Sequence, residues 1–218
     1  MNLFYLSTIL NSSILIGGAI ALIRFGDIRK EYHPFIFLIW LGCVNETVSY
    51  ISAVTQGTNV INSIIYDLCE SLFLLWFFRN IQLFKRNRAL FFGLIVLFVG
   101  LWVVESFFSK QFGSQFNSYF TITYSCSIVL LSITAINKLL FEEREVVRNP
   151  TFLICMGMVI FFTYKIVVEM FWLYGLRESR SFRINVLIIL MCVNFLCNLI
   201  YALAILWMRK KRAFTLQF

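Results

Sequence analysis

The sequence predicts an all-α fold: a polytopic membrane protein built as a single seven-transmembrane-helix bundle. Three observations lead there. The 218 residues are 60% hydrophobic, with a mean hydropathy of +0.82, whereas soluble domains are about 45–50% apolar. The apolar residues gather into seven runs, each near the roughly 20 residues that a helix needs to cross a hydrocarbon core about 30 Å thick. The basic residues fall mostly in alternate intervals between those runs.

Taken in order, the runs are 3–23, 35–54, 60–78, 89–108, 119–140, 152–175 and 184–208. Run 1 begins almost at Met1 without a basic leader, so it reads as a span and not as a cleavable signal. Runs 2 and 6 each follow a proline, Pro34 and Pro150. At the first turn of a helix the missing N–H costs nothing. With both prolines at helix starts, the seven helices read as uninterrupted. Short intervals such as "TQGTN" and "FKRNR" leave no room for a soluble domain. One domain, residues 1–218, is expected, and each span satisfies its own backbone polar groups.

Charge sets the expected orientation. One side of the runs carries Arg24, Arg29, Lys30, Arg79, Lys85, Arg86, Arg88, Lys138, Arg144, Arg148 and residues 209–212. The other side carries only Lys110, Arg177, Arg180 and Arg183. Basic loops face the cytoplasm. The N-terminus is therefore expected outside and the C-terminus in the cytoplasm, in the plasma (inner cell) membrane. The net charge of +8 is a topology signal reinforced by anionic lipid. Nucleic acid is not an expected partner.

The spans contain ionisable and polar residues, and such residues mark functional sites by default. Depth follows from 1.5 Å per residue. Glu46 lies roughly 18 Å above Pro34's end of its helix. Asp67 and Glu70 lie roughly 12 and 16 Å into helix 3 from its other end, and Lys165 about 22 Å along helix 6. Asn11 and Asn194 also fall near mid-depth. Asn45 adjoins Glu46, and Tyr50 follows it by one turn. Tyr66 and Glu70 share a face of helix 3, and Asn194, Asn198 and Tyr201 form a stripe on helix 7. The expected ligand-binding or ion-coupling set is thus Glu46, Asp67, Glu70, Lys165, Asn45, Tyr50, Tyr66, Asn194 and Asn11. Lys165 is expected to neutralise Glu46 or Asp67, or to pair with Glu169 four residues along its own helix. Glu105 and Glu169, nearer the outer interface, are expected to reach water. Three carboxylates against one lysine leave a formal negative balance. A proton, or a small-molecule ligand bearing an amine or cation, would complete it. Phe161, Phe162, Tyr164, Phe171 and Trp172 surround Lys165 in sequence and read chiefly as packing.

Other chemistry is excluded or weak. Asn45-Glu46-Thr47 and Asn11-Ser12-Ser13 match the glycosylation pattern but lie inside spans. The six cysteines fall in spans without a C-x-x-C pair, so they read as apolar packing. His33 is the only histidine. No metal site, catalytic residue, cofactor fingerprint or phosphate loop is expected, and the chain is not expected to be an enzyme.

An F-L-I-x-x-G-x-V pattern recurs at Phe37–Val44 and Phe152–Val159. At an offset of 114, one residue short of the pattern's 115, Tyr5, Ser13 and Ala21 align with Tyr119, Ser127 and Ala135. Helices 1-2-3 would then repeat as 5-6-7, a parallel repeat with helix 4 as linker. This layout resembles the three-plus-one-plus-three plan of the SWEET sugar transporters, although no Pro-Gln pair occurs. It is similar to retinal proteins in helix count and orientation, although helix 7 has no lysine. Two functions fit. The first is a receptor-like sensor that binds a small ligand in the outer half of the bundle and signals to a separate cytoplasmic protein. The alternative is a small, proton-coupled transporter using the same cluster. A carboxylate-dependent intramembrane enzyme ranks below both.

Overall fold

The computed structural model describes residues 8–56, 59–108, 118–142, 146–174 and 180–208. Lys110, Arg144, Arg177 and the 209–212 tail, on which part of the charge reading rests, lie outside them. Seven helices among the described residues are long and apolar enough to span a membrane, and no β-strand is present among them. This is a multi-pass membrane architecture.

The helices are α1 (Ile14–Arg24), α2 (His33–Gln56), α3 (Val60–Asn80), α4 (Arg88–Val103), α5 (Ser118–Glu142), α6 (Pro150–Tyr174) and α7 (Arg180–Trp207). Local chemistry explains several boundaries. Pro150 opens α6, with the Asn149 side chain accepting the Thr151 N–H at 2.8 Å. Asn87 caps α4 through the Leu90 N–H. The α3 C-terminus closes with the Leu83 N–H on Phe78 O and the Gln82 N–H on Arg79 O. That paired pattern requires a left-handed residue at Gln82, whose φ is 60°.

Two departures from regular helix correct the expectation of uninterrupted spans. The first span runs Thr8–Asp27 but turns at Ser12–Ser13, where bonds tighten to Ser13 N–Leu10 O and Leu15 N–Ser12 O. Both hydroxyls fold back onto carbonyls, Ser12 Oγ on Thr8 O and Ser13 Oγ on Leu10 O. Serine side chains compete with the helical ladder in this way, and their back-bonding bends helices. The second departure is a π-helical turn over Val104–Phe108 at the end of α4.

In the bundle α1 packs on α2, α2 on α3, α3 on α5, α5 on α6, α6 on α7, and α7 returns to α1. Six helices therefore close a ring. The α4 helix lies outside it against α3 and α5, with only 17% of its apolar window buried. Its Trp102 indole donates to Ile64 O of α3 at 3.0 Å. Without an aqueous hydrophobic drive, such helices associate by close packing. Gly157 on α6 shows the principle: an added Cβ would meet the Tyr201 ring of α7 at 2.5 Å.

Candidate functional site

The ring encloses a cavity of about 130 Å³. Its polar wall comes from the residue just before the α1 break (Asn11), from α2 (Asn45, Glu46), α3 (Tyr66, Glu70), α6 (Lys165) and α7 (Asn194, Asn198, Tyr201). Its apolar end is formed by Phe35, Leu38, Leu74 and Met158, all buried. That end points toward the basic loops, because α2 and α6 start there and α3 finishes there. Beyond it, the Tyr32 and Thr151 hydroxyls hydrogen-bond at 3.0 Å.

A charged layer forms one wall. Lys165 Nζ reaches from α6 to Asp67 Oδ1 at 3.0 Å and Glu70 Oε2 at 3.2 Å, both on α3. It also donates to the Tyr124 hydroxyl. Tyr124 OH in turn donates to Glu70 Oε2 at 2.7 Å, and Tyr66 OH to Glu70 Oε1 at 3.2 Å. Thr121 Oγ1 donates to Asp67 Oδ2 at 3.3 Å. The Tyr124, Phe161 and Phe162 rings sit 5.1–5.9 Å from the ammonium. Removing three charges from water is costly, and only such dense hydrogen bonding offsets it. The layer is not fully covered: the Lys165 and Asp67 side chains keep 16% and 18% of their exposure, whereas Glu70 keeps 8%.

The opposite wall is built of amides. The Asn11 side chain hydrogen-bonds Glu46, and Asn194 Nδ2 donates to Asn11 Oδ1 at 3.1 Å. Asn198 Nδ2 donates to Ser13 Oγ at 2.9 Å, satisfying the region where α1 breaks. Asn45 accepts from Asn62 Nδ2 at 2.8 Å, and the same amide reaches Ser49. No cation among the described residues pairs with Glu46.

Seven of the nine expected site residues line the cavity. Asp67 lies behind it, between α3, α5 and α6. Tyr50 is not brought to it; it is 49% exposed on the outside of α2. Lys165 does not pair along its own helix with Glu169, nor with Glu46. It reaches across to α3. Glu105 and Glu169 do not simply reach water. Glu105, turned by the π-helical segment, accepts the Tyr119 and Phe120 N–H groups at 3.1 and 2.7 Å. Glu169 hydrogen-bonds Ser118 while its Oε2 is buried without a partner. Two carboxylates thus serve the first turn of α5, where unpaired N–H groups favour negative charge. Sequence reasoning missed Thr121 and Tyr124. Their three-residue spacing in "TITY" was the available signal.

The aromatic grouping around Lys165 divides. Phe161 and Phe162 face the ammonium. Tyr164 OH donates to Val186 O at 3.3 Å, Phe171 packs edge-on to Phe182, and Trp172 is exposed. Among the described residues, no three His, Cys, Asp or Glu side chains converge as a metal site.

The chain matches no protein-family model, no curated protein and no solved structure. Any functional reading therefore rests on the cavity itself.

Proposed function

We propose that this chain is a receptor-like sensor of the plasma membrane, with its N-terminus outside and its basic loops in the cytoplasm. A small solute bearing an amine or cation enters from the outer side and binds between Glu46 and the Glu70–Lys165 wall. Helix packing then shifts, and the basic loops pass the change to a separate cytoplasmic signalling protein. The observation that carries this reading is the asymmetry of the cavity. Its polar end leaves 16% of the Lys165 side-chain surface uncovered, while its floor is closed by Phe35, Leu74 and Met158, each 1% exposed. A blind pocket suits binding better than passage. Its polar groups come from five helices, so a ligand that spans them favours one packing arrangement over another. The volume also limits the ligand. A cavity of about 150 Å³ accommodates benzene, so about 130 Å³ admits a compact molecule of similar size.

A second reading is a small transporter, proton-coupled through Glu46 or Glu70. The observation favouring it is the α1 break at Ser12–Ser13, beside cavity residue Asn11. Broken helices at mid-membrane depth are a transporter device. The parallel repeat belongs with this reading. Gly42 and Gly157, equivalent in the repeated motif, are both sites where an added Cβ would collide with a neighbouring helix, at Ile14 and Tyr201 respectively. The peripheral α4 is the expected linker.

Reconstituted liposomes separate the two. For the sensor, small amines bind, as read by tryptophan fluorescence or calorimetry, and no radiolabelled amine accumulates in the lumen. Accumulation above that of empty liposomes, lost in Glu46→Gln, would replace the sensor with the transporter.

A further inference from the structure

We propose that the α3–α4 turn is a specific binding site for the phosphate headgroup of an anionic phospholipid. Arg79, Gln82, Lys85 and Arg88 line one pocket of about 350 Å³ at the basic end of the bundle. Its floor is the buried pair Phe84 and Phe91, and its rim includes Phe92, which is 58% exposed. No carboxylate lines it. Among the described residues, none of the three cations is in an ion pair. Arg79 instead lies over the Phe91 ring at 4.9 Å, which orients the guanidinium and leaves its edge for an acceptor. Arg88 and the two phenylalanines belong to the first turns of α4, where free amides add partial positive charge.

A second, independent observation is Gln82. It occupies the left-handed position that ends α3, with φ 60°. Glycine takes this conformation without steric cost, and glutamine does not. Strain of this kind persists where a side chain is needed. Gln82 is the one uncharged polar residue lining the pocket, and it also borders the neighbouring pocket of Arg29 and Glu31; its amide could donate to a phosphate oxygen. A lipid, and not free phosphate, is the fitting source. The cations stand at the end of a membrane-spanning helix pair, and exposed Phe92 continues from the pocket along α4 toward the acyl region. Interfacial basic pockets of this kind bind acidic headgroups.

Arg86 provides the control. It is exposed in the same turn but does not line the pocket. A diffuse electrostatic attraction would weight Arg86 equally with its neighbours; a built site would not. The test titrates the full chain in neutral detergent with short-chain phosphatidylglycerol, phosphatidylcholine or inorganic phosphate. The readouts are lipid adducts in native mass spectrometry and the thermal midpoint. Phosphatidylglycerol is expected to bind and raise the midpoint, and phosphatidylcholine is not. Lys85→Gln and Arg88→Gln should each weaken binding roughly fivefold, with Arg86→Gln changing it by less than about twofold. Gln82→Gly should raise the lipid-free midpoint while reducing the lipid-induced shift. Equal losses in Arg86→Gln and Lys85→Gln, equal binding of phosphatidylcholine, or an equal effect of inorganic phosphate would each overturn the lipid site.

Discussion

The two walls of the cavity hold carboxylates in different ways. On the α3–α6 side, Asp67 and Glu70 share one lysine and three hydroxyls. On the α1–α2 side, Glu46 has amide company and no cation. A buried charge with a complete set of partners is costly to disturb and has little left to offer a ligand. One without a cation can be completed from outside. On the proposed function, the first wall is structural and recognition falls to the second.

Mutations that strip one wall at a time test that division. Lys165→Met removes the common cation from two carboxylates and should have the largest effect, about 3–5 kcal/mol. It should be seen as loss of folded protein in a thermal or denaturant titration. Unchanged or improved stability would abolish the distinction between the walls. Gly157→Ala pushes a methyl into the Tyr201 ring and should cost about 1–3 kcal/mol as overpacking. It should also drive Tyr201 into the cavity, so amine binding falls with stability. Tyr124→Phe deletes a single hydroxyl that joins Glu70, Asp67 and Lys165. Leaving those groups short of a partner should cost about 1–3 kcal/mol, with amine affinity little changed because Tyr124 does not line the cavity. Glu46→Gln should cost least in stability, under about 1 kcal/mol, since no cation loses its partner and the side-chain shape is kept. It should nevertheless weaken amine binding by tenfold or more in calorimetry. A stable Glu46→Gln variant with undiminished amine affinity would move recognition to the other wall.

Much of the fold was legible because lipid imposes one-dimensional rules. Run length and terminal prolines located the helices, and apart from the start of the first run, which lies outside the described residues, the structure shifted the span ends by only a few residues. Which residues line the cavity was partly legible for a similar reason: 1.5 Å per residue gives depth, and residues of equal depth meet if they face inward. Depth does not give neighbours. Glu46 and Asp67 stand at similar heights, and only the ring order shows that Lys165 of α6 reaches α3. Tyr124 was hidden because aromatic residues abound in this chain and read as packing. The tightened turn was hidden because serine has no strong helix-breaking signature. In the sequence Ser12 stands out only in a misleading glycosylation match, and Ser13 only there and in the repeat register. The fate of Glu105 depended on a π-helical turn, which no period in the sequence announces.

The closed ring has one junction unlike the rest. Between every other pair of neighbours the polypeptide itself is a tether, with α4 bridging α3 to α5. The α1–α7 contact has none. It is held by Asn194 on Asn11, Asn198 on Ser13, and the Arg24 guanidinium on Leu206 O. The bundle is therefore a clasp with a polar fastening, and the fastening passes beside the cavity. Prising it apart would stretch no connecting segment, but it would give up apolar packing as well as those hydrogen bonds, since Gly17 of α1 lies against Ile205 and Ala202 of α7.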